Sequence, residues 1–411
     1  MQTNLADFIR ETSEGIEADA ILRRCVHCGF CLATCPTYQV LGDELDSPRG
    51  RIYLIKQMLE GEPVTEKTQL HLDRCLTCRA CETTCPSGVE YGKLIDIGRH
   101  VMEKRVRRSP IDNTRRFVLR KVLAHQKRFN IFLKSARVAK PLLLANIRKK
   151  IPGAKNSTLW PTVSHQRKML LLEGCVQPSL EPEINIATAR VLDALDISLV
   201  RATSAGCCGA ISYHLNAQEE GLDFARRNID AWWPLIEEGI EAIVVTASGC
   251  GTMIQDYGRL LKHDPSYAEK ANVVSKLFCD ISQVLFSEKD KLIPLLNKNF
   301  PATSNSIAFH SPCSLQHGLK IRGVVEDLLK VCGYELTHVP DSHLCCGSAG
   351  TYSLLQPDIS QQLLTRKVNS LESGKPEFIA TANIGCLTHI ASESSVPVKH
   401  WIEFVMWKLL S

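Results

Sequence analysis

The chain is predicted to be an α+β multidomain protein: a helical module of clustered cysteines, a basic helical linker and a duplicated α/β cysteine-rich domain. Three observations predict this. Eight of the 18 cysteines fall in two tight clusters within residues 1–100. Residues 101–164 contain no cysteine and are basic and helix-compatible. In the rest of the chain one cysteine pattern occurs twice, amid alternating strand-like and helix-like segments, as in α/β units with a mainly parallel sheet. The expected boundaries are 1–100, 101–164, 165–290 and 300–411.

The totals fit such a protein. A length of 411 residues allows two or three domains, and 44% hydrophobic content excludes disorder of the whole. No apolar run approaches the roughly 20 residues that span a bilayer. Met1–Arg24 lacks the apolar core of a signal peptide and carries Asp7, Glu11, Glu14, Glu17 and Asp19. A cytoplasmic protein is therefore expected. Disulfides are rare in that compartment, so clustered cysteines there point to metal binding or redox chemistry.

The N-terminal module carries the strongest motif, C-V-H-C-G-F-C-L-A-T-C-P at Cys25, Cys28, Cys31, Cys35 and Pro36. It returns as C-L-T-C-R-A-C-E-T-T-C-P at Cys75, Cys78, Cys81, Cys85 and Pro86. This is the spacing of bacterial two-cluster iron–sulfur ligation, in which the fourth cysteine of each run serves the other cluster. Two [4Fe-4S] clusters are expected, one on Cys25, Cys28, Cys31 and Cys85, the other on Cys75, Cys78, Cys81 and Cys35. Structural zinc is the competing assignment, but four thiolates saturate zinc and the remaining cysteines and prolines would go unexplained. Between the motifs, Asp46-Ser47-Pro48-Arg49-Gly50-Arg51 begins a helix expected to run through Leu59, making this a largely helical two-cluster ferredoxin module. Arg49 and Arg51 are read as a solvated helix start, with charge tuning of a cluster as the alternative.

The linker concentrates charge. Val101–Lys150 holds 16 Lys/Arg against Glu103 and Asp112, a net +14, which leaves −9 on the remainder of a chain whose total is +5. Phe117-Val118-Leu119, Phe129, Ile131-Phe132-Leu133 and Pro141-Leu142-Leu143-Leu144 interleave with the cations, as in interfacial helices. The segment is expected to meet a partner subunit or the inner face of the cytoplasmic membrane, with a plain solvated linker as the alternative. No motif supports nucleic-acid binding.

In the C-terminal region Cys175, Cys207 and Cys208 recur as Cys313, Cys345 and Cys346, each displaced by 138 positions, and Cys250 recurs as Cys386, displaced by 136. Four positions in order imply a duplication. Strands are expected at 169–176, 197–200, 242–246, 307–310, 334–339 and 378–381, and helices at 187–195, 217–233, 321–331 and 359–371. Ligands of parallel sheets sit beyond the carboxyl ends of the strands, which is where Cys175, Cys250 and Cys386 fall, with Cys313 slightly beyond its strand. Adjacent cysteines followed by glycine suit two sulfurs approaching one centre from a sharp turn. One site is expected at Cys175, Cys207, Cys208 and Cys250, and a second at Cys313, Cys345, Cys346 and Cys386. The competing reading is a scaffold of merely buried thiols.

With these motifs, residues 165–411 resemble the tandem cysteine-rich CCG domains of heterodisulfide reductase catalytic subunits. Nearly the full length resembles the iron–sulfur subunits of glycolate oxidase. The final Cys-x-x-Cys of the family does not carry over, because Ala247 and Asn383 occupy its first positions. The resemblance implies an electron-transfer subunit that carries no catalytic residue for substrate chemistry. A partner subunit with bound FAD would oxidise glycolate to glyoxylate, and electrons would pass through this chain towards quinone. Further iron–sulfur clusters in the CCG halves are part of that expectation. The alternatives are a subunit of a related lactate or anaerobic glycerol-3-phosphate dehydrogenase, or a heterodisulfide-reductase-like catalytic subunit.

His27, His310 and His317 lie near cysteines in the sequence and are read as hydrogen-bonded or solvated rather than as ligands. Cys279 and Cys332 are read as buried thiols. No G-x-G-x-x-G fingerprint or phosphate loop occurs, so no nucleotide cofactor is expected in this chain.

Overall fold

The computed structural model describes residues 1–142, 151–155, 157–297 and 305–410. The later part of the Pro141–Leu144 stretch, the last cations of the basic segment and residue 300 lie outside them.

The N-terminal module is helical, as its composition predicts. Ser13–Arg24, Pro48–Leu59, Glu66–Asp73 and Tyr91–Arg105 pack around Ile21, Leu22, Ile55, Met58, Leu59, Leu94 and Ile95. Pro48 at the first helical position and the Ser47 hydroxyl, which accepts from Gly50 N–H, start the second of these helices where the sequence placed it. Pro48 of this helix lies beside cysteines of both motifs. Arg51 corrects the reading of a solvated helix start. It is 1% exposed and paired with the fully buried Asp46 at 3.1 Å. Arg49 is partly exposed and pairs with Glu44 at 2.8 Å.

The basic segment forms two helices, Pro110–Leu123 and Gln126–Ala139. It is not simply a solvated tether. Arg108 and Arg116 converge on Asp73, and Arg120 and Lys121 on Glu220, so acids on both flanking parts hold the helix in place. Phe129 and Leu133 face inward. Ile111, Phe117, Val118, Ile131, Phe132 and Val138 are at least half exposed.

The remainder is two copies of one parallel four-stranded sheet. The first holds β1 (Arg167–Leu171), β2 (Ile197–Arg201), β3 (Ile243–Val245) and β4 (Phe278–Asp280) in the order β2-β1-β3-β4. The second holds β5 (Ser306–His310), β6 (Glu335–Leu336), β7 (Phe378–Thr381) and β8 (Val398–His400) in the order β6-β5-β7-β8. The registers correspond as well: Leu171 pairs with Val244, and Phe309 with Ala380. The short strands β4 and β8 were not legible in sequence, because three residues show no alternation. The expected strand at 334–339 is confined to Glu335–Leu336.

The halves interlock. The C-terminal helix Trp401–Leu410 packs against Glu183–Asp193 of the first half. The Ser248 and Ser314 hydroxyls meet at 2.7 Å, and buried His400 donates from Nε2 to the Thr246 carbonyl at 2.9 Å. Among the described residues no helix is long and apolar enough to cross a membrane.

Candidate metal centres

The two N-terminal motif loops have matching backbones. His27 and Gly29 take left-handed conformations in the first, and Thr77 and Arg79 do so at the equivalent places in the second. Such geometry is costly for residues other than glycine, of order 1–3 kcal/mol each, and persists where the surroundings demand it. Its effect is to turn backbone N–H groups onto sulfur. Thr77 N–H donates to Cys75 Sγ at 3.4 Å, and His27 N–H bonds Cys25 in the same way.

Two adjoining hollows result. Cys25, Cys28, Cys31, Cys81 and Cys85 line the first, and Cys35, Cys75, Cys78 and Cys81 line the second. Cys81, Pro48 and Tyr91 border both. Cys85 therefore opens onto the hollow of the first motif and Cys35 onto that of the second. Arg51 borders the second hollow and Arg49 the first. Burial pushes the Cys31 thiol up to about 11 and raises Cys25, and it holds Cys78 and Cys81 well above the ordinary thiol value. Thiolates here need a cation that compensates for desolvation. All 18 cysteines are free thiols. The donor set, the N–H groups aimed at sulfur and the paired hollows fit iron–sulfur clusters, whose thiolate ligands such hydrogen bonds stabilise.

The cysteine-rich halves bring their four cysteines together as the spacing predicts. In the first, Cys175 bonds Cys207, and Cys208 bonds both Cys207 and Cys250. Hydrogen bonds from Cys175 and Cys208 hold the Cys207 thiol well below its ordinary value. In the second, Cys313 donates to Cys345 at 3.8 Å, and Cys346 bonds Cys345 and Cys386. The glycine of each triplet is obligatory. Gly209 and Gly347 have φ of +93° and +90°, and a Cβ would lie 2.3 Å from the Gly221 carbonyl oxygen and 2.7 Å from that of Ser360. Their N–H groups donate to Cys207 and Cys345 Sγ at 3.4 and 3.5 Å. At the position of a missing family cysteine, the Asn383 amide donates to Cys386 Sγ at 3.8 Å; Ala247, its counterpart, has no such group.

The second half lies against the ferredoxin module. Cys78 and Cys313 pack on one cluster made by Leu76, Cys345, Tyr352, Ile359 and Leu363. Tyr352 donates to the Arg74 carbonyl at 2.9 Å, and Thr83 bonds His317 at 3.0 Å. The first half lies under the linker, where Ala124 packs with Cys175, Cys207 and Phe224, and it meets the ferredoxin module through His214–Asp96 and Arg259–Glu17.

The histidines divide. His317 is hydrogen-bonded as expected, between Thr83 and the His343 carbonyl. His310 is fully enclosed, and neither ring nitrogen has a hydrogen-bond partner among the described residues, contrary to expectation. Its ring reaches to within 4.8 Å of the Cys346 and Cys386 sulfurs. Cys332 is buried and Cys279 partly so, with burial raising them to about 12 and about 11.

Fold and sites together define a class: a two-cluster ferredoxin module joined to tandem cysteine-rich domains. The comparisons agree. Residues 21–89 match the 4Fe-4S dicluster domain, and residues 169–255 and 307–391 each match the cysteine-rich domain. The glycolate oxidase iron-sulfur subunit of Escherichia coli (strain K12) is 55% identical over 98% of both chains. The probable glycolate oxidase iron-sulfur subunit of Bacillus subtilis (strain 168) is 30% identical, covering 89% of this chain and 87% of its own. Lactate utilization protein A of the same organism is 26% identical over 57% of this chain and 98% of its own. The chain belongs to the glycolate oxidase iron–sulfur subunit family, and its cofactors are iron–sulfur clusters.

Proposed function

We propose that the chain relays electrons within a glycolate-oxidising complex, from a flavin-bearing partner that converts glycolate to glyoxylate, towards a quinone. The observation that carries this reading is the continuity of the thiol sets: two adjoining hollows, then Cys78 and Cys313 packed on one apolar cluster. A binding module for a single metal has no need of such a row. The name of the 55% identical relative supports glycolate as the substrate of the complex. Lactate, the substrate in the name of a 26% identical relative, is the second reading.

In this proposal the working parts are 1–100, 101–164, 165–290 and 300–411. Cys25, Cys28, Cys31 and Cys85 hold one cluster, and Cys75, Cys78, Cys81 and Cys35 the other. Cys175, Cys207, Cys208 and Cys250, and likewise Cys313, Cys345, Cys346 and Cys386, are further metal sites. When bound, such clusters accept and pass on electrons one at a time. The protein's contribution is to bury the thiolates, aim N–H groups at them and place Arg49 and Arg51 beside the hollows, where positive charge favours the reduced state. Cys28, Val26 and Phe30 are exposed at the rim of the first hollow, a suitable docking face for the flavoprotein. Exposed Arg115, Lys127, Arg128 and Lys134 among the exposed apolar residues of the linker suit the cytoplasmic face of an anionic membrane.

The test is anaerobic mixing of the complete complex with glycolate, L-lactate or glycerol 3-phosphate while the visible iron–sulfur absorbance is followed. Glycolate alone should bleach it at a rate matching turnover. Bleaching by lactate instead assigns the second reading, and no bleaching by any of them rejects an electron-relay role for this chain.

A further inference from the structure

The two cysteine-rich halves share sheet order, register and cysteine positions, yet they are not chemically equivalent. In register, His310 at the end of β5 pairs with Thr381, whereas Leu172 just beyond β1 is the counterpart of His310. Gly209 and Gly347 abut Gly221 and Ser360, and seven positions beyond these stand Asn228 and Lys367. Asn228 hydrogen-bonds the Cys207 carbonyl at 2.9 Å. Lys367 is buried, donates to the Asp341 carbonyl at 2.8 Å and lies within electrostatic reach of Cys345, Cys346 and Cys386. The second half has thus acquired a histidine, a lysine and the Asn383 amide around its sulfurs.

His310 is the anomaly among them. A buried imidazole with neither nitrogen hydrogen-bonded bears the full cost of desolvation, and in a native structure such a group calls for an explanation, such as a bound ion. His310 is 1% exposed, and one of its ring nitrogens stands with the Cys346 and Cys386 sulfurs in a group whose members all lie within 4.8 Å of one another. Imidazole and thiolate are the two side-chain donors that iron accepts most readily in a buried site.

We propose that the second cysteine-rich half binds its iron through a mixed donor set, an imidazole nitrogen of His310 together with the thiolates of Cys346 and Cys386, completed by Cys313 and Cys345. The proposal rests on the reading that this half carries a metal, and it adds the fifth donor. The histidine supplies a ligand without adding negative charge. Lys367 offsets part of the thiolate charge. The second half adjoins the Cys78 hollow, and the first half, with Leu172 at the corresponding position, is limited to thiolates.

The experiment uses the full chain, purified without oxygen after growth with 15N-histidine. Iron is counted, and pulsed electron paramagnetic resonance reads histidine nitrogen coupling. His310→Leu places at this site the residue that the sister half carries, and His310→Cys keeps a donor but removes the nitrogen. The expected result is more than the roughly eight irons that two cubane clusters contain, together with a 15N coupling that both variants lose. His310→Leu should also lose the second half's share of the excess iron and His310→Cys retain it, with the two ferredoxin-type signals unchanged in each. Excess iron and an unchanged spectrum in both variants overturn the histidine ligand and leave a thiol-only site. Wild type with only about eight irons overturns the metal reading of this half as well. If His310→Leu fails to fold, His310→Cys still decides, because retained coupling in that variant rules His310 out.

Discussion

Asp46 shows how one residue can tie a cofactor site to the fold. Its carboxylate is fully buried and meets Arg51 at 3.1 Å, Arg74 at 2.8 Å and His71 at 3.2 Å. Arg51 in turn bonds Thr37, which lies beside Cys35. Removing one partner of a buried pair leaves an uncompensated charge and costs about 3–5 kcal/mol. Arg51→Met should lose stability of about that size in anaerobic denaturant titrations. In redox titrations it should also lower the potential of the cluster at Cys75, Cys78 and Cys81. An unchanged denaturation midpoint would remove Asp46–Arg51 from the list of stabilising contacts. The crossed ligand assignment is tested at the same scale. Cys35→Ser should damage the cluster of the second motif and spare that of the first, despite lying in the first motif. The reverse pattern in resonance spectra would refute the crossing.

Among the elements, the helix Gln126–Ala139 divides its apolar residues between two tasks. Phe129 and Leu133 are buried, whereas Ile131, Phe132 and Val138 are 67%, 58% and 82% exposed. Exposed aromatics and aliphatics beside Lys127, Arg128 and Lys134 gain free energy only by burial against something else. Ile131→Asp with Phe132→Asp should abolish sedimentation with anionic vesicles at low salt. Iron content and fold should not change, because substitutions at exposed positions seldom exceed about 0.5 kcal/mol. Sedimentation that survives the double change would remove this helix as a membrane contact. Composition marked the linker as helical, but it could not say where its helices end or which arginines are internal. Arg108, Arg116 and Arg120 meet acids 35, 43 and 100 positions away.

At the scale of the whole molecule, the halves are held together by groups that titrate. His400 accepts from Ile402 N–H at Nδ1 and donates from Nε2 to Thr246, an arrangement open only to the neutral ring. Burial pushes it down from 6.5 to about 3. The unfolded chain therefore takes up this proton first. The contribution of His400 to stability is full above pH 6.5 and is lost as the pH falls from there towards 3. The loss is about 1.4 kcal/mol per pH unit within that window. Wild type should lose about that much relative to His400→Gln between about pH 5.5 and 4.5. Parallel pH profiles for the two proteins would show that the ring does not lock the halves.

Much of this protein is determined by its sequence alone. The two C-x-x-C-x-x-C-x-x-x-C-P runs specify cluster loops, because local spacing dictates which sulfurs one turn can present. The repeated Cys-Cys-Gly specifies two corresponding turns, because only glycine fits the left-handed backbone against Gly221 and Ser360. Such features are local, so a linear reading reaches them. Only the tertiary structure decides that Cys78 adjoins Cys313, that the linker covers Cys175 and Cys207 of the first half while Cys313 and Cys345 of the second face the ferredoxin module, and that His310 faces Cys346 and Cys386 without a hydrogen bond. In sequence His310 is one histidine after a strand, with hydrogen bonding as its ordinary fate. Its partners lie 36 and 76 positions away and meet it only because parallel strands carry their carboxyl ends to one edge of the sheet. Distance along the chain hides such contacts, and packing supplies them.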